Sequence, residues 1–340
     1  HAQAIYHTLI GGGLQGHKAS IGSMTTAISG EAFTASGMPS FVELIQEEVE
    51  DEYRQDMQRM RAGNATGTMG AACAPFAALG GDGLQQNMKL NLPLDRLNAR
   101  RALHDSLDRM QRGVDAAGGM EAFDEFEGQA VEMLLGRKTR DALDLLKEDP
   151  RTLERYDTSH MRSGWLKRRP STLGKRLLMA RRLCEAGCKF VTVGMAGWDN
   201  HGNGRHPGVF EGMHTLGLPL DHAVGAFLDD VRERGLEDDI LLVVTGEFGR
   251  GPKFENKGGR PHWPGLCSLA FAGGGLNMGQ VIGRSLPTAD YPASTPYRLD
   301  NMVATLMHTM FDVGQLRLDT GLPQELSQLV QRGEPIGELF

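Results

Sequence analysis

Three short segments of the chain gather residue types that suit metal or acid–base chemistry. The first is Gly197–Trp198–Asp199–Asn200–His201–Gly202–Asn203. Asp199 and His201 stand two apart, so in an extended segment both side chains point to one side. A carboxylate oxygen and an imidazole nitrogen aimed at one point suit a divalent transition metal. The competing arrangement is an Asx-type turn, with Asp199 bonded to backbone amides and His201 in solvent. The second segment is Thr245–Gly246–Glu247–Phe248–Gly249–Arg250. Glu247 meets the end of an apolar run, where a carboxylate is costly unless paired or metal-bound. Arg250 either pairs with that acid or grips an anionic substrate through its forked donors. In the third, Gly258–Gly259–Arg260–Pro261–His262–Trp263–Pro264, His262 sits in a rigid Gly- and Pro-bounded loop. It is a third candidate ligand or a general acid–base.

The elements around these loops read as strand, loop, helix, strand. Lys189–Met195, Ile240–Thr245, Leu266–Phe271 and Gln280–Ile282 have strand character. The continuous apolar run at Ile240–Thr245 fits a strand covered on both faces. Pro219–Arg234 and Asp300–Phe311 read as helices, with Pro219 in a first turn. The Met stripe of the second, Met302, Met307 and Met310, is read as core. Alternating strands and helices argue for a largely parallel, doubly wound α/β sheet, whose ligands bind beyond the carboxyl ends of its strands.

Upstream, Leu94–Arg112, Met120–Leu135, Thr139–Lys147 and Thr172–Ala186 carry apolar residues at helical spacing and end at glycines. This helical block, 94–187, runs into the sheet-rich part, 188–340, without a linker, so one domain is expected. The basic residues Lys167 to Arg182 are read as a solvated helix surface. Ser40–Gln55 also reads as a helix, from Phe41, Leu44, Ile45 and Val49 and a capping-box spacing of Ser40 and Glu43. Its acidic run, Glu47, Glu48, Glu50, Asp51 and Glu52, is read as a solvated face, and Gly11–Gly13 as a loop. Asn64–Ala65–Thr66 matches a short glycosylation sequon.

Composition narrows the classes further. The chain has 340 residues and a formal net charge of −7, against a basic nucleic-acid binder. It has no apolar run long enough to span a membrane. The 4 cysteines are scattered and make no disulfide framework. The glycines number 45, without a collagen period, and mark many tight loops. The Gly-rich Phe271–Ala272–Gly273–Gly274–Gly275 turn is not followed by a helical pattern, so a dinucleotide-binding reading fails. The sequence opens on His1, so a processed chain or N-terminally incomplete fragment is expected.

GWDNHGN, LLVVTGEFGRGPKFENKGGRPHWP and LAFAGGGLNMGQVIGRS resemble the bacterial DUF1501 family, within the alkaline phosphatase/sulfatase-like superfamily. The resemblance is strong from about Ala180 to Phe340, looser over the helical block and faint before Leu90. It implies a three-layer α/β fold of alkaline phosphatase type, with a mostly parallel sheet and one or two divalent metals at its carboxyl edge. By position Asp199, His201, Glu247 and His262 resemble metal ligands, for Zn, Mn or Ca, and Arg250 a catalytic clamp on anionic oxygens. The implied activity is hydrolysis of small phosphate or sulfate esters; a catalytically degenerate homologue serving in binding or assembly is the alternative. Two departures stand out: Phe248 where relatives place His, and Pro261 where the family usually has Asp. No counterpart of the superfamily's nucleophile segment is found, and His1, His7, His17, Ser20 and Ser23 are candidate remnants of that edge. The family's usual export signals imply a periplasmic or secreted protein.

Overall fold

A computed structural model describes residues 19–30, 37–45, 58, 60–78, 137–163, 169–203, 206–246 and 248–340. Glu247, the three early histidines, the 11–13 loop, the acidic run at 47–52, Lys167, Arg168 and the expected helices at 94–112 and 120–135 lie outside these residues. The protein is a mixed α/β chain with a small parallel sheet and several helices.

Helix α1 is Ile21–Ser29. Ser20 caps it by accepting the Ser23 N–H at 3.1 Å, and Gly30 ends it at a left-handed φ of 68°. Strand β1, Phe41–Ile45, follows where a helix was expected. Every residue of β1 is buried, so its apolar spacing reports a strand covered on both faces. A short run of this kind fits helix and buried strand equally well. Glu43 makes no capping box: it lies on the strand and accepts from Asn64 Nδ2 at 2.6 Å. Burial pushes the Glu43 carboxyl above its usual range, against that hydrogen bond and the charge of Arg61. Asn64 is itself buried, which removes the sequon amide from solvent.

β1 is the centre of a parallel sheet with β2, Phe76–Ala77, on one side and β3, Phe190–Gly194, on the other. Helices cover both of its faces. Phe41 packs on Gly22 of α1, where any Cβ would come within 2.5 Å of the ring. Val42 and Leu44 face the other way. They join a core with Ala142 and Leu143 of α2, Arg137–Leu143, and Ala180 and Leu183 of α4, Leu173–Glu185; the short α3, Pro150–Arg155, lies between. The expected helices at 139–147 and 172–186 are therefore present, the first ending in a 3-10 turn at Leu145–Lys147.

The basic surface of α4 is a correction. Arg176 and Arg181 are buried. Arg176 donates to the carbonyls of Leu44 and Gly194, at the carboxyl ends of β1 and β3. Arg181 is 1% exposed and reaches Glu148, Glu185 and Asp230 at 2.6, 2.6 and 2.8 Å. Three carboxylates around one guanidinium make burial tolerable, which a solvated face would not need.

α5, Leu218–Glu233, starts with Pro219 in its first turn as expected. It continues from a helical turn at Val209–Gly212 and a π-turn at Met213–Gly217. Its buried stripe, Ala223, Ala226, Phe227 and Val231, packs on Leu173, Leu177 and Leu178 of α4. Fully burying a side chain such as Phe227 is worth about 1.5–3 kcal/mol.

β4, Leu241–Thr245, pairs antiparallel with β7, Leu269–Gly273, over five residue pairs. This corrects the largely parallel sheet for this part of the chain. The segment between them is a hairpin of β5, Gly249–Arg250, and β6, His262–Trp263, and not a crossover helix, so the chain returns antiparallel. β4 is half-exposed and not covered on both faces. Residues 280–282 form no strand. α6, Leu299–Met310, buries Met302, Val303, Leu306 and Met307 as the Met stripe implied; Val303 and Met307 pack with Leu326 and Val330 of α7, Gln324–Arg332. No helix among the described residues is long and apolar enough to cross a membrane.

Candidate metal centre

The carboxyl end of β3 leads through Met195 and Ala196 to Gly197, whose φ of 98° turns the chain into the Asp199 loop. The loop is tighter than the extended segment expected. Asn200 N–H bonds Trp198 O and His201 N–H bonds Asp199 O, both at 3.0 Å, in successive three-residue turns. Asp199 and His201 still converge, with Oδ1 and Nε2 2.8 Å apart.

The hairpin supplies the other side. Arg250 stands opposite His262 in register, so both side chains leave the same face. His262 Nε2 lies 2.9 Å from Asp199 Oδ1 and 2.8 Å from His201 Nε2. Phe248 packs on the His262 ring at 4.5 Å between centroids. Arg250 donates from Nη2 to Asp199 Oδ1 and to Trp198 O, each at 2.8 Å. Its Nη1 lies 3.3 Å from Arg260 O and 3.4 Å from His201 Nε2.

Close backbone approach joins the two loops. Arg260 N–H bonds Asn200 O at 3.1 Å. A Cβ on Gly259 would lie 1.9 Å from His201 O, so only glycine lets the strand pass. Asn200 points away from the trio into the turn before α5. A Cβ on Gly212 would sit 2.0 Å from Asn200 Oδ1, so any other residue there would push the Asn200 amide aside. Pro261 gives its carbonyl to Gly251 N–H at 2.9 Å.

Asp199, His201 and His262 are thus brought together, half-buried, with one ligand atom each within 4.8 Å of the others. Arg250 joins them; Glu247 lies outside the described residues. His206 faces His201 at 6.1 Å between ring centroids and is not one of the trio. Ser20 and Ser23 are engaged with each other at α1. Sequence reasoning missed Asn200 and Arg260 as parts of the site. The place of Arg260, two residues before His262, was the available signal.

The donor set fits a divalent cation. Ligand atoms about 2.0–2.1 Å from a common centre at right angles are about 2.9 Å apart, and about 3.3 Å apart in a tetrahedron. The observed edges are 2.8, 2.9 and 2.8 Å. Protons alone serve such a triangle poorly. Each Nε2 carries at most one proton, and if both aim at the carboxylate, the two nitrogens face each other as donors. Burial would raise the Asp199 carboxyl, but hydrogen bonds from His262 and Arg250 and the charges of His201 and Arg250 hold it below its usual range. It is therefore ionised at neutral pH, as a metal ligand must be.

A family model described as "Protein of unknown function (DUF1501)" matches residues 1–340, and the chain belongs to that family. The match extends over the N-terminal third, where the motif resemblance is faint. No curated protein and no solved structure matches the chain.

Proposed function

We propose that this DUF1501 protein is a metal-dependent hydrolase of phosphate or sulfate esters, related to the alkaline phosphatase/sulfatase-like superfamily. The observation that carries the reading is the convergence of Asp199, His201 and His262 on one point beside Arg250. Asp199 Oδ1, His201 Nε2 and His262 Nε2 would hold the cation, with Glu247 as a further donor. A bound divalent ion supplies Lewis-acid stabilisation of the negative charge on the transferred group. The chain's own residues do the positioning. Arg250 fixes the Asp199 carboxylate and adds positive charge where anionic oxygens gather. Phe248 fixes the plane of the His262 ring. A parallel sheet with helices on both faces supports a three-layer fold of alkaline phosphatase type for the whole chain. Export from the cytoplasm, expected from the family resemblance, belongs to the same proposal.

One observation favours a second reading. The Arg250 guanidinium already sits 2.8 Å from the carboxylate oxygen, as a resident cation would. A homologue that keeps this arrangement without metal would act in binding or assembly. The test is turnover of a panel of aryl phosphates and aryl sulfates by the chelator-treated protein, before and after addition of Zn²⁺, Mn²⁺ or Ca²⁺. Metal-dependent turnover, lost in Asp199→Ala, supports the hydrolase. Bound metal without turnover rejects the hydrolase, and no bound metal at all rejects it in favour of the second reading.

A further inference from the structure

Among the described residues Arg250 touches the trio and Arg260 lies two residues from His262, and their donors are used very differently. Arg250 is committed to the protein: its Nη2 serves Asp199 and Trp198 O, and its Nη1 the Arg260 carbonyl. Arg260 stands two residues before His262, in the segment that leads into β6. Its backbone is held on both sides, by Asn200 O and by Arg250 Nη1. Its guanidinium Cζ lies 4.2 Å above the ring of Phe254, itself 64% exposed at the hairpin rim. That stacking fixes the plane of the fork and uses none of its donors.

Among the described residues, no acceptor takes any N–H of the Arg260 side chain. Its Nε is buried and without a hydrogen-bond partner, and no ion pair to the group is found among the described residues. A buried Nε–H left without an acceptor is costly unless something from outside completes it. The buried Asn200 Oδ1, also without a partner, lies on the loop that the Arg260 backbone grips.

We infer that Arg260 is the anion-binding arginine of the site and that it takes a tetrahedral oxyanion, the phosphate or sulfate group of the substrate. The fork pairs with two oxygens of such a group, as a lysine point charge does not. Arg250 is then a positioning residue, which holds Asp199 and the Arg260 carbonyl, and Arg260 sets specificity. The inference deepens the hydrolase reading and rests on it for the identity of the ester, but the binding step is tested without turnover.

The probes are inorganic phosphate and inorganic sulfate, titrated calorimetrically into the chelator-treated full chain and into the same protein with Mn²⁺. Arg260→Gln is expected to weaken binding of the preferred anion at least tenfold and to leave Mn²⁺ affinity within about twofold. Arg260→Lys, which keeps the charge and loses the fork, is expected to fall between; it also serves if circular dichroism shows that Arg260→Gln does not fold. Phosphate preferred over sulfate, or the reverse, identifies the ester class. Unchanged anion affinity in Arg260→Gln, or no anion binding by the wild-type protein, overturns the inference. Absence of turnover or of metal overturns the hydrolase reading alone, because anion binding is read separately.

Discussion

Replacing Arg181 with Met removes the cation at the centre of the α4–α5 ion network. Arg181 bonds Glu148, Glu185 and Asp230 at 2.6, 2.6 and 2.8 Å. Tyr156 donates to the same Asp230 oxygen at 3.0 Å. The substitution leaves two carboxylates whose side chains are only 6% and 4% exposed. Breaking a buried ion pair by removing one partner costs about 3–5 kcal/mol. Two guanidiniums remain: Arg182 at 2.7 Å from Glu148, and Arg234 at 3.0 Å from Glu148 and 2.8 Å from Asp230. They offset part of the loss, and Met fills much of the vacated volume, so the lower end, about 3 kcal/mol, is expected. Urea unfolding followed by circular dichroism measures it as a lower midpoint with an unchanged slope. A double-mutant cycle with Asp230→Asn should give a coupling of about 1 kcal/mol or more. A loss below about 1 kcal/mol, or no coupling, would refute the reasoning and return α4 to a solvated basic face.

Acid stability should show the same network. Burial would raise the Glu148 carboxyl, but hydrogen bonds from Arg182 and Arg181 bring it from 4.5 down to about 2. A folded value below the unfolded one stabilises above the unfolded pKa and is lost as pH falls through the folded value. About 3 kcal/mol should therefore disappear between pH 4.5 and 2, and Glu148→Gln should flatten that part of the stability–pH curve. Gly259→Ala places a Cβ 1.9 Å from the His201 carbonyl. Forcing the two loops apart should lower metal affinity at least tenfold, with far-ultraviolet circular dichroism unchanged; equal affinity would show that the loops do not need this approach.

The trio was legible because Asp199 and His201 follow a strand and a turn-forming glycine, and His262 stands in a Gly- and Pro-bounded segment. Such residues fix where the backbone turns. Glu247 sits in the same kind of position but lies outside the described residues. Residues 41–45 were misread because an apolar run of that length carries no period that separates a helix from a doubly covered strand. Arg181 was misread because a charged residue on an amphipathic helix looks solvated until its partners arrive, and Glu148 and Asp230 are 33 and 49 residues away. The β4–β7 pairing was hidden for a related reason. An apolar strand has the same composition whether its neighbour runs parallel or antiparallel, and only the hairpin between them decides. Arg260 needed the contacts of its backbone with Asn200 and Arg250 before it could be assigned to the edge of the site.

The central claim is that Asp199, His201 and His262 form one divalent-metal site. Isothermal titration of Zn²⁺ or Mn²⁺ into chelator-treated protein tests it most directly. One equivalent is expected to bind, with binding abolished in Asp199→Ala and weakened at least tenfold in His262→Ala. No binding, or binding that neither substitution changes, would contradict the account.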